Sequence, residues 1–296
     1  MINYTDRLGT LVRDIVARVP GISELNPDDL LIFARYGRSG AAGPYATCHC
    51  LTLPPTDPGY YYWCDKLSGQ MTRRSEWFVT KSPKVSINGR PVHYLISFVL
   101  PRFCDQALDQ SRKRRFYPGA PSWIAKLDTI VHELYHIDPN RAGLRRIERR
   151  DGGVAASLHG PSFLADVAGM VRQYLASGVD PDSYDFLRYG FEELSERFGP
   201  VTATTFLTFP SFPQRYVEAL NAQPPAPPCD CIQPIRQPQL QTVYTERDLE
   251  TRHFLPRAGA PAGRSKAVRS HRGRRNRTVT LSARGTDALA EALTEA

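Results

Sequence analysis

His132-Glu133-Leu134-Tyr135-His136 reads H-E-x-x-H. An α-helix turns about 100° per residue, so residues four apart lie about 40° apart on one face. A helix over 123–137 therefore projects His132 and His136 together, one turn apart, as two imidazole ligands of a tetrahedral zinc. Glu133, beside the first ligand, is placed to take a proton from a zinc-bound water and later return it to a leaving amine. The helix has independent support. Trp123, Leu127, Ile130, Leu134 and Ile137 recur at steps of three and four, an apolar stripe on the side opposite the histidines. Ala125 and Thr129 share the histidine side and are small enough to leave room. Pro139 closes the helix after Asp138, because the residue before a proline avoids helical geometry.

A catalytic zinc generally has three protein ligands and one open position. His159, in Leu158-His159-Gly160-Pro161-Ser162-Phe163, is the strongest third candidate. Gly143, Gly152 and Gly153 let the chain reverse after the first helix. A second helix starts near Pro161, carries Phe163, Leu164, Val167, Met170, Val171 and Leu175, and stops at Gly178. Glu148, Asp151 and Asp166 compete as ligands. Asp166 is alternatively an acceptor orienting the His159 ring.

The two motifs together, His132–Ile137 and His159–Phe163, resemble the SprT-like zinc metallopeptidases and the phage metallopeptidase group, which pair an H-E-x-x-H helix with a downstream H-G-x-x-[FW] segment. The resemblance covers roughly residues 28–178. It implies His132, His136 and His159 as zinc ligands, Glu133 as catalytic base, and a small α+β zincin-like fold with a short sheet beside the active-site helix. SprT proteins often continue into a zinc ribbon with two C-x-x-C pairs. Here the late cysteines are Cys229 and Cys231, spaced C-x-C, so that ribbon is absent and a DNA-crosslink protease role does not carry over.

The 296 residues are 41% hydrophobic, enough for a core, and contain no apolar run long enough to span a membrane. Met1–Val19 lacks the layout of a signal peptide. It reads as an amphipathic helix with Leu8, Leu11, Val12, Ile15, Val16 and Val19 inward. A cytoplasmic location is expected. Without a signal, the six cysteines (48, 50, 64, 104, 229, 231) do not suggest a disulfide framework. Cys48, Cys50 and Cys64, with Cys229 and Cys231, are an alternative second zinc site. Thr47–Leu53 reads more simply as a strand.

Leu30–Tyr36, Tyr45–Leu53 and Tyr60–Cys64 read as strands, and Asn88-Gly89 as a tight turn. Val92–Leu100 is the best central strand, apolar on both faces. Asp105 is expected to cap a helix over 105–116, and further helices are expected at Ser183–Phe198 and Gln214–Asn221. Val201–Phe209 reads as a strand. Residues 1–223 then form the metallopeptidase domain. Residues 224–240 form a Pro-rich linker, part of an Ala222–Gln239 stretch with six prolines.

Residues 241–296 read as a basic, largely disordered tail with a last short helix at Asp287–Leu293. The formal net charge is +8, and 252–284 alone carries ten Lys or Arg with no acid. The remainder is near neutral. The basic segment 257–284 is a candidate for nucleic acid or another anionic partner, or a solvated tail. Arg141, Arg145, Arg146, Arg149 and Arg150 flank the proposed cleft and read as a solvated helical face paired with Glu148 and Asp151, or alternatively as a patch that attracts an acidic substrate. The reading that fits best is a zinc metallopeptidase acting on protein or peptide. The alternatives are a nucleic-acid-associated protein with a structural zinc, and a zinc hydrolase of a non-peptide amide.

Overall fold

The computed structural model describes residues 1–40, 42–51, 60–64, 71–77, 83–109, 111–139, 143–145, 147, 158–208, 215–219 and 243–255. Over these residues the chain is a mixed α/β fold with four α-helices and five small sheets. In chain order the elements begin with β1 (Ile2–Asn3), α1 (Tyr4–Arg18), β2 (Leu30–Gly37), β3 (Ala46–Cys50), β4 (Tyr60–Cys64), β5 (Met71–Trp77), β6 (Lys84–Ile87), β7 (Arg90–Val92) and β8 (Tyr94–Pro101). They continue with α2 (Ile124–Tyr135), β9 (Ile137–Asp138), β10 (Gly143–Leu144), α3 (Phe163–Ala176), α4 (Phe191–Phe198), β11 (Val201–Phe206), β12 (Arg215–Ala219), β13 (Val243–Tyr244) and β14 (Leu249–Phe254).

The site is built on the β2-β8-β3 sheet. All eight residues of β8 are buried, as its unbroken apolar run requires, so it takes the centre. β2 runs parallel to it and β3 antiparallel. Alternation along the strands divides the core between two faces. Ala34, Ile96 and Phe98 join the large cluster formed with the helices. Phe33 and Leu95 face a smaller one with Val85, Phe206 and Tyr244. α1 buries the face its periodicity predicts, and Asn3 caps it by accepting from the Asp6 amide. Asn88 and Gly89 make the β6–β7 hairpin, at φ 51° and 77°, the conformation for which Asn-Gly is selected.

Several expectations are corrected. Asp105 does not cap a helix over 105–116. Its Oδ1 accepts from the Phe191 amide at 2.8 Å and so caps α4, while 105–116 forms turns and a 3₁₀ helix, Arg112–Phe116. The helix expected at 183–198 is two 3₁₀ turns followed by α4. Gly190 restarts the helix by donating its amide to Glu193 Oε2 at 2.6 Å. Residues 215–219 form a strand paired antiparallel with β5 instead of a helix, a case of ladder pairing overriding local propensity. The fold also extends past residue 223. β14 pairs along the whole of β11, from Val201↔Phe254 to Phe206↔Leu249, and Tyr244 and Phe254 are buried. Residues 243–255 therefore belong to the fold and not to a tail. The Pro-rich linker, the basic segment 257–284 and the helix expected at 287–293 lie outside the described residues. No helix among the described residues is long and apolar enough to cross a membrane.

Candidate metal centre

α2 packs against α3 on one side and β3 on the other. Leu127, Ile130, Leu134 and Ile137 are buried as the stripe predicts, but so are Lys126, Asp128 and Thr129. The helix is thus enclosed nearly all round, not half-exposed. It ends at Tyr135, three residues before the expected stop. His136 keeps helical angles (φ −65°, ψ −22°), so the two histidines hold their one-turn spacing. Beyond it, β9 and β10 form a small hairpin, tied to the helix end by the Arg145 amide donating to the His136 carbonyl at 2.7 Å.

His159 lies in the segment that enters α3, and the structure brings it to the other two. The Nε2 atoms of His132 and His136 are 3.1 Å apart, and that of His159 is 3.2 Å from each. Ligands placed tetrahedrally around zinc at bond lengths of about 2.0–2.1 Å would be about 3.3 Å apart. The triangle therefore fits one such ion. Burial lowers the pKa of all three imidazoles, His136 to about 3, with the neighbouring histidines adding to the effect on His132 and His136 and Lys113 to that on His132 and His159. Neutral rings direct lone pairs at a shared point, which is the chemistry a divalent cation satisfies. Among the described residues, these three form the only such His/Cys/Asp/Glu group.

Phe163 holds the cluster together. Its ring centroid lies 4.9 Å from those of His132 and His136 and 4.7 Å from that of His159. The Nδ1 atoms of His132 and His136 are buried without a hydrogen-bond partner among the described residues. On these residues the two rings are fixed by packing, and Phe163 is the wall. The aromatic end of the H-G-x-x-F motif thus has a structural reason that sequence reading had treated only as helix packing.

Glu133 is buried, and its Oε2 accepts the Cys48 backbone amide at 2.7 Å. Burial raises its pKa to about 7, against the pull of that amide, Lys113 and Arg35. A carboxyl poised near neutrality suits proton transfer. The Cys48 amide has no signature in the sequence, since it depends on the register of β3 against β8.

Next to the triad, the room expected beside Thr129 is filled. Lys113 Nζ reaches Thr129 Oγ1 at 2.8 Å and Asp128 Oδ1 at 2.6 Å. Asp128 Oδ2 also accepts from Tyr117 Oη at 2.6 Å, and Gln106 Nε2 donates to Thr129 at 3.0 Å. This polar network clamps the Arg112–Tyr117 turn to α2.

The other candidates separate from the site. Asp166 is exposed on α3 and is not part of the cluster. Glu148, Asp151, Arg141, Arg146, Arg149 and Arg150 lie outside the described residues, and Arg145 rests over the Tyr135 ring at 4.5 Å. Cys48 and Cys50 lie in β3 and are not part of the histidine cluster. Burial, with Glu133 and Cys50 nearby, pushes the Cys48 pKa well up. Cys64 lies in β4, described by its backbone, and Cys229 and Cys231 lie outside the described residues. No family model, curated protein or solved structure matches this chain.

Proposed function

We propose that the chain is a zinc-dependent metallopeptidase of zincin-like architecture. One observation carries the reading: three Nε2 atoms converge within 3.1–3.2 Å, with the buried carboxyl of Glu133 next to the first of them on α2. The sheet packed beside α2, whose edge strand β3 holds Glu133, supports the zincin-like part. The resemblance to SprT-like and phage metallopeptidases supports the same residue roles.

His132, His136 and His159 hold the ion. A zinc ion bound there supplies a Lewis acid and a water acidified to a pKa of about 7. Glu133 does the proton work. Cys48 fixes one carboxylate oxygen through its backbone amide, which leaves the other to accept the proton of the attacking water and to deliver it to the departing amine. Enclosure of α2 keeps bulk water from competing for that carboxyl.

The test combines elemental analysis of zinc-loaded protein with peptide-library cleavage by wild type and Glu133→Gln. The expected result is about one zinc per chain. Cleavage should fall about a thousandfold in Glu133→Gln, with metal content unchanged. Absence of bound metal overturns the reading. Metal binding with equal cleavage profiles would favour a structural zinc instead.

A further inference from the structure

Residues on either side of the Arg112–Phe116 turn line an open hollow of ≈ 760 Å³ that the catalytic reading leaves unused. Ser111, Arg112, Arg114, Arg115, Tyr117 and Gly119 are among its lining, and Asp109 is the one carboxylate there. The three arginines are exposed. Among the described residues, the guanidinium of Arg114 has no carboxylate partner, and that of Arg115 lies only over the Phe116 ring at 4.7 Å. Arg172 of α3 brings a further guanidinium to the same turn, donating to the Phe116 carbonyl at 3.5 Å.

The hollow has a fixed frame. Ser111 Oγ accepts the Lys113 amide at 3.2 Å, and Gly119 turns the chain at φ 72°, which favours glycine. Tyr117 is anchored through Asp128. Within Arg-Lys-Arg-Arg, the lysine points inward to Asp128 and Thr129 while the arginines face solvent. Asp128 and Thr129 precede His132 by about one helical turn, so the turn that bears the arginines is pinned to α2 just ahead of the first histidine.

We propose that this arginine hollow is a subsite that binds acidic side chains of a peptide substrate; the proposal rests on the peptidase reading above. Guanidinium groups pair with carboxylates in a two-pronged geometry that favours this chemistry. The charges here are concentrated in one short turn, whereas a nucleic-acid backbone is met by a basic groove that tracks along it.

The test is fluorescence anisotropy with the full-length chain in a Glu133→Gln background, which prevents turnover. The probes are fluorescein-labelled peptides carrying a run of glutamates or, in the same positions, glutamines. The glutamate peptide should bind about tenfold more tightly at low salt. Arg114→Glu/Arg115→Glu should abolish that preference with unchanged circular dichroism. Retention of the preference in the double variant overturns the proposal, since the basic segment 257–284 would then account for it. Loss of binding to a single-stranded oligonucleotide, with glutamate-peptide binding intact, also overturns it and makes the hollow a phosphate site. Because the readout is binding, failure of the parent protein to cleave any peptide counts against the peptidase reading alone.

Discussion

A lone histidine of β3 and the group of three on α2 and at the entrance of α3 have different fates in this molecule. His49, in β3, is half-buried, and desolvation, with Arg35 nearby, lowers its pKa to about 3, yet its Nε2 meets Ser97 Oγ at 3.2 Å and its ring tilts towards Phe33. Its polar atom has an ordinary partner. His132, His136 and His159 are lowered in the same direction, but their Nε2 atoms face one another. Burial and a depressed pKa are therefore not what marks a site. Convergence of lone pairs on one point is, because no hydrogen-bond arrangement of three neutral rings satisfies it as well as a cation does.

The comparison can be broken most directly by removing a ring from each group. His159→Ala is expected to weaken zinc binding more than about a hundredfold, measured by competition with a chromogenic chelator, while His49→Gln leaves it near wild type. Equal losses would mean that the triad is merely desolvated, as His49 is. Next in size is Phe163→Ala. Removing the wall behind all three imidazoles should cost about 4 kcal/mol in urea unfolding and lower zinc affinity about tenfold. An unchanged affinity would show that something other than packing orients the rings.

Asp128→Asn should cost about 3 kcal/mol, because Lys113 is then buried beside the helix without its counter-charge. Adding Lys113→Met should restore most of that loss, and a failure to restore would show that Asp128 acts mainly through Tyr117. The smallest effect concerns pH. The folded-state pKa of His49 lies below its ordinary value of 6.5, so its contribution is complete above pH 6.5 and is lost as pH falls towards about 3. Wild type should thus lose about 1 kcal/mol more stability than His49→Gln between pH 7.5 and 5.5. Identical losses would show that His49 is not held neutral by its surroundings.

Local repetition made much of this legible. The stripe Leu127, Ile130, Leu134 and Ile137 identified α2, the continuous apolar run identified β8, and Asn88-Gly89 identified a hairpin. The triad was legible because two of its histidines share a helix face and the third opens the next helix. The Cys48–Glu133 bond was not, since it joins residues 85 apart through strand register. Asp105 carries a capping signal, but only tertiary structure tells which helix it caps. β14 was hidden by its setting. Arg252 counted towards a basic tail, although it lies in a paired strand and forms an ion pair with Glu250.

β11 is sandwiched between β1 and β14, and this sets where the chain can be trimmed. A deletion meant to isolate the cationic end has to begin after Phe254. Cutting at the proline-rich stretch would strip one whole side of β11, leaving six residues of ladder without partners and an open edge prone to intermolecular pairing. Any loss of solubility or activity in such a shortened protein would report a broken sheet, and would say nothing about the arginines it was designed to remove.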